Sequence, residues 1–202
     1  MNAVVELPAA QLERLSVGTA LRGILAIPER AADAEKAVGM STDDLRSLAD
    51  GSIGIEIHRV NTLLGTTDHT LAPSRIFGAH VVLASVGAEC WCAARGLSRC
   101  GANSAPLLPQ HFDIEQIVRE AFGNQREKQA ILDVTGWDRS MPSKIIGPDK
   151  ARITLEKLDR MMDALNYVLV PRVFYNAIRT LSVAGVYCQR AQLGAGVCGL
   201  DY

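Results

Sequence analysis

A glycine turn followed by cations and hydroxyls is the part of this sequence best suited to chemistry. Thr135-Gly136-Trp137 is followed by Arg139, Ser140, Ser143 and Lys144. Guanidinium and ammonium groups can donate to guanine acceptors, and a serine hydroxyl can serve several base edges. Lys128 and Gln129 lie a few residues upstream, and Lys150 and Arg152 a few downstream. Groups of that kind suit phosphate oxygens, which set register without carrying sequence. The chemistry on offer is recognition by charge and hydrogen bonds, with no bond made or broken.

Residue spacings for catalysis or metal binding are absent. There is no phosphate-binding glycine loop, no nucleophile elbow and no metal motif. Gly194-Ala195-Gly196 is too isolated to count, and Asp43-Asp44 reads as a helix start, where the dipole favours acid. The cysteines are Cys90, Cys92, Cys100, Cys188 and Cys198. Their odd number does not fit a secreted disulfide framework, and their spacing does not fit structural zinc. The histidines His58, His69, His80 and His111 lack pair spacing. The expectation is no enzyme, no catalytic residue, no metal and no cofactor, with reduced thiols in apolar tails.

The elements that must position the cations are helical. Asp113 caps a helix from Ile114, with Ile117, Val118, Ala121 and Phe122 on one face, and Gly123-Asn124 ends it. A second helix runs from about Arg126 to Val134, with Ala130, Ile131 and Val134 inward. Gly136 suits a positive φ in the turn. Asp138 is expected to cap a third helix through Ile146. Ile153 and Thr154 open a fourth, whose stripe is Leu155, Leu158, Met161, Met162 and Leu165. Tyr167 to Val170 reads as a strand stopped by Pro171, and a last helix runs from Val173 to about Cys188.

The same order recurs upstream. The glycines of the two turns, Gly39 and Gly136, are 97 residues apart. At offsets of 97 or 98, Ile55, Ile57, Val60, Leu63 and Leu64 fall on Ile153, Leu155, Leu158, Met161 and Met162. Leu71 and Pro73 fall on Leu169 and Pro171, and Cys100-Gly101 on Cys198-Gly199. Identities are few, but the matches are collinear. They predict a tandem duplication, residues 1–105 and 106–202, joined by a turn-rich linker near Gly101 to Pro109 and holding two cores. In the first unit the helices are expected at Ala32 to Val38, at Thr42 to Ala49 capped by Ser41, and at Ile57 to Leu64.

Two short helices around a glycine turn are the helix-turn-helix pattern. With Gly136 at its ninth position, the packing positions hold Ile131, Trp137, Pro142 and Ile145. In the first unit they hold Ala34, Val38, Met40, Leu45 and Leu48, all apolar. The stretch Thr135-Gly136-Trp137-Asp138-Arg139-Ser140, then Ser143 to Gly147, Ile153 to Leu158 and Leu165-Asn166-Tyr167, resembles the DNA-binding segment of the phage CII-type regulators, within the lambda-repressor-like group. That resemblance covers about residues 124 to 170 and, faintly, 32 to 73. It implies a sequence-specific transcription regulator of phage or prophage origin, with the recognition helix 138–146 in the major groove. It also implies double-stranded DNA as partner, RNA polymerase or another host protein as a second one, and a homo-oligomer or an internal pseudo-dimer.

Base contacts are then expected from Arg139, Ser140, Ser143 and Lys144, and phosphate contacts from Lys128, Gln129, Lys150 and Arg152. Between Asn124 and Arg160 there are eight Lys or Arg against six acids, a modest footprint. The first unit begins its matching helix with Thr42-Asp43-Asp44, whose carboxylates would repel phosphates. It is expected not to be a strong reader. The alternative is a helical protein-interaction module that binds a host protein without DNA.

Composition limits the classes. The chain has 202 residues, 21 Lys plus Arg, 22 Asp plus Glu, 48% apolar residues and 5% aromatics. That is a globular composition, neither disordered nor a basic coat, and it is poor in base-stacking rings. The longest apolar run, Ile76 to Cys92, contains His80 and Glu89 and falls short of the roughly 20 residues of a span. Glu6 and Glu13 do not suit a secretory signal, so a cytoplasmic location is the expectation. The fold class expected is mainly α: tandem lambda-repressor-like units, each with a short strand and a trailing helix.

Overall fold

The computed structural model describes residues 16–90, 107–148, 150–188 and 192. Most of the expected linker, together with Cys92, Cys100 and Cys198, lies outside the described residues. The chain is mainly helical, with ten helices and two short antiparallel ribbons among the described residues. One succession comprises α1 (Val17–Leu25), α2 (Pro28–Val38), α3 (Thr42–Ala49), β1 (Ile55–Glu56), α4 (Ile57–Thr66), β2 (His69–Pro73) and α5 (Ser74–Ala88). A second comprises α6 (Ile114–Gly123), α7 (Gln125–Thr135), α8 (Met141–Ile146), β3 (Arg152–Ile153), α9 (Leu155–Ala164), β4 (Tyr167–Pro171) and α10 (Arg172–Tyr187). No described helix is long and apolar enough to cross a membrane.

Caps and glycines account for several boundaries. The Ser41 hydroxyl accepts from Asp44 N–H and starts α3, and the Asp113 carboxylate accepts from Glu115 and Gln116 N–H and starts α6. Thr154 caps α9 through Lys157 N–H. Gly39 and Gly136 end α2 and α7 at φ +68° and +66°, a conformation in which a Cβ is disfavoured.

The two successions meet residue for residue. β1 pairs with β3, setting Ile55 opposite Ile153. β2 pairs with β4, setting Leu71 opposite Leu169. Antiparallel pairing of matched residues requires a local twofold relation, and other contacts repeat it. Ser74 N–H donates to Asn166 O and Arg172 N–H to Asp68 O, each at 2.7 Å. Asp68 and Asn166 both have positive φ, and short polar side chains tolerate that region best after glycine. The Asn61 side chain accepts from Ile114 N–H at the start of α6, and the Asp159 carboxylate accepts from Val17 N–H at the start of α1. Such exchange is what a twofold dimer interface shows, here within one chain.

The two expected cores are therefore replaced by one that both successions share. Leu21, Leu45, Val60 and Leu63 pack in the same cluster as Ile114, Ile131, Leu158 and Met161. An amphipathic helix must bury its stripe somewhere, and each half has the other half available. A smaller cluster lies where α5 and α10 run side by side, around Phe77, Tyr175, Ala84 and Ile178. Phe77 stacks on Tyr175 near the start of the two helices, and Gly87 approaches Gly185 near their ends, so the helices point the same way.

Three local expectations are corrected. Ile153 belongs to β3, and α9 begins at Leu155. In α7, Leu132 is buried and Val134 is exposed, so the inward face passes through Ile131, Leu132 and Thr135. The third helix of the second half starts at Met141 instead of immediately after Asp138. Pro142 explains the last shift. It has no N–H for the Asp138 carbonyl, and in a longer helix its ring would clash there. At the first turn of a helix that donor is not needed, and Pro142 is buried in that place.

Candidate nucleic-acid interface

The stretch that the sequence suggests as a helix-turn-helix comprises α7, the Gly136 turn and α8. Ile131 and Ile145 are buried between them, and Trp137 packs partly buried against the same core. Asn124, expected only to end a helix, caps α7 by accepting from Arg126 and Glu127 N–H. Those amides are thus occupied, and what the start of α7 offers an anion is its dipole and Lys128.

Residues 138–140 form a turn before α8. The Asp138 carboxylate accepts from Ser140 N–H at 2.7 Å and from the Ser140 hydroxyl at 2.5 Å. Those bonds, with the Lys144 ammonium nearby, hold its pKa below the ordinary carboxylate value. Arg139, at the exposed tip, makes no ion pair among the described residues. Ser140 is committed to Asp138, and the Ser143 hydroxyl donates to Ser140 O at 2.8 Å. Both serines face solvent with one bond already made. Lys144 is exposed and unpaired among the described residues.

Of the phosphate candidates, Lys128 and Gln129 share one cleft with Arg139, floored by Leu132. Gln129 also donates to Asp133 at 2.7 Å, on the same helix face. Lys150 lies apart, in a cleft with His58, Glu115, Arg119 and Ile146. Arg152 lies in another cleft, beside β1, that includes Ser41, Asp44 and Arg59. One compact set, Lys128, Gln129 and Arg139, is brought together, with Lys144 on the helix that follows. Lys150 and Arg152 are not part of it. Lys157 was missed: its ammonium stands 5.8 Å from the Trp137 ring centre, a cation–π distance that ties α9 to the turn. Its only sequence signal is its place in the first turn of the fourth helix.

The matching surface of the first half differs in charge and in bonding. The Glu35 carboxylate accepts from Thr42 N–H at 3.1 Å and from the Thr42 hydroxyl at 2.6 Å. The Ser41 hydroxyl donates to Asp44, and Asp43 pairs with Arg46 at 2.8 Å. Three carboxylates thus surround the start of α3 and satisfy its donors internally. Glu35 was not singled out in the sequence, because it is seven residues from its partner.

No metal-binding group of three or more His, Cys, Asp or Glu side chains occurs among the described residues. Cys90 and Cys188 are buried. No protein-family model matches this chain, and no curated protein or solved structure matches it either.

Proposed function

We propose that the chain is a sequence-specific double-stranded DNA-binding transcription regulator of the phage type, built as two tandem helix-turn-helix units that form an internal pseudo-dimer. The second unit reads DNA through Arg139 and Lys144, with Ser140 and Ser143 beside them. The single observation that carries this is the exposed, unpaired Arg139, which shares a cleft with Lys128 and Gln129 next to the Gly136 turn. A helix-turn-helix reads bases from the start of its second helix, and Arg is the side chain best fitted to guanine. The like order of elements and the paired glycine turns support two units of one kind.

A second reading applies to the first unit. Glu35, Asp43 and Asp44 around the start of α3 suit a basic protein surface, so in the alternative in which the duplex does not reach the first unit, a host protein such as RNA polymerase is the partner proposed there. Mobility shift with random and candidate operator DNA, from low to high salt, tests the main reading. Binding through Lys and Arg must fall linearly in log K against log salt. Absence of any shift at low salt would leave the protein-interaction role alone.

A further inference from the structure

The elements follow one another along an approximate twofold axis. Matched residues face each other in both ribbons, Ile55 with Ile153 and Leu71 with Leu169, so both ribbons lie on the axis. Helices α4 and α9 connect them, and ten residues of helix span about 15 Å. Helices α5 and α10 continue directly from β2 and β4 and bury a separate cluster, so β1–β3 lies at the other end. Both turns flank that ribbon. Gly39, Met40 and Ser41 line a cleft with β1, while Ala151, next to β3, donates its N–H to the Lys144 carbonyl in α8.

Arg152 stands on this ribbon, exposed and opposite Glu56. It lines the cleft on the first unit's side together with Arg59 of α4. Neither guanidinium makes an ion pair among the described residues. Two carboxylates share the cleft: Asp44 accepts from the Ser41 hydroxyl, and Glu56 lies 3.4 Å from His58 Nδ1.

Resting on the DNA-binding reading above, we infer that the duplex lies across the β1–β3 ribbon with the two units on inverted half-sites, and that Arg152 and Arg59 meet its phosphates on the first unit's side. A twofold relation sets the two units head to head on DNA, whereas direct repeats require units related by translation. The acidic start of α3 then has no need to read bases, because cations from the ribbon and from α4 hold that half of the duplex. The site is an inverted repeat with one half strictly specified and the other loosely.

The test uses the full chain. Bound duplexes are selected from a randomised library, and the best is footprinted with hydroxyl radicals. Two protected patches about a common centre are expected, with strict sequence in one. Arg152→Ser is expected to lose the looser patch, keep the strict one, and lower the slope of log K against log salt by about one. Arg152→Lys, which keeps the charge, restores both. A single patch indifferent to Arg152→Ser, or selected sites arranged as direct repeats, would overturn the inference while leaving DNA binding in place. Failure to retain any DNA at low salt would overturn the DNA-binding reading itself.

Discussion

Gly87 of α5 and Gly185 of α10 are what allow these two helices to touch backbone to backbone. A Cβ on Gly87 would stand 1.9 Å from Leu181 O, and one on Gly185 would stand 1.9 Å from Leu83 O. The clash is reciprocal and rigid, since the obstacle is a helix carbonyl on each side. Gly87→Ala and Gly185→Ala are each expected to destabilise the chain by at least the roughly 1–3 kcal/mol of an overpacked core. Because they open the same contact, the double variant is expected to cost less than the two single costs added together. Gly78→Ala is the control: nothing lies within 4 Å of its Cβ, and it stands on the same helix. That variant is expected to gain up to about 1 kcal/mol from helix propensity. Urea unfolding of the four variants measures all of this.

Asp159 makes stability depend on pH. Burial, and the nearby Asp163 charge, push its carboxyl up to about 6, against the favourable bond from Val17 N–H. A carboxyl with a raised folded pKa binds more protons in the native state than in the unfolded chain. The contribution of Asp159 to stability is therefore greatest below the unfolded value, near 4, and is lost as pH rises through about 6. The loss by pH 7 is on the order of 1–3 kcal/mol. Asn61 does the matching task in the other half without a charge. Asp159→Asn is expected to accept from Val17 N–H, raise stability at pH 7 and flatten the decline. Thermal unfolding at pH 4.5 and pH 7 checks this; an unchanged slope between them would sink it.

The left-handed glycines test the turns without touching the surface beside them. Nothing lies within 4 Å of a Cβ at Gly39 or Gly136, so only the backbone penalty applies. Gly136→Ala is expected to cost about 1–2 kcal/mol, and Gly136→Asn less. Calorimetry of the pair against Gly39→Ala reads the difference; both glycines were recognisable in sequence for this reason.

How much was legible follows from the range of the interactions involved. Caps at Ser41 and Asp113, the stripe of α9, and the strand Tyr167 to Val170 depend on neighbours a few residues away, and each stands where the periodicity puts it. The start of α8 was misplaced because Asp138 is a good cap while Pro142, four residues on, forbids the helix that cap would begin. Helix α1 went unread: its cap is Ser16, and part of its anchoring comes from Asp159, 142 residues away. The shared core was hidden for the same reason. A repeat shows that two halves are alike but not whether they bury their stripes apart or together. Within the candidate site, the charged residues were visible by type. Their grouping was not: Arg152 turns toward the first unit because β3 pairs with β1, a contact about a hundred residues long in sequence.

Loss of DNA affinity on removing the exposed cations of the second unit, set against the matching change in the first, tests the central claim most directly. Mobility shift across a salt series is measured for the wild type, Arg139→Ala, Lys144→Ala and Arg46→Ala. Arg139→Ala and Lys144→Ala are each expected to weaken specific binding by about 1–3 kcal/mol. Arg46→Ala, whose guanidinium is paired with Asp43, is expected to leave it nearly unchanged. Equal losses in all three variants, or no binding by the wild type at low salt, would contradict a second unit that reads DNA.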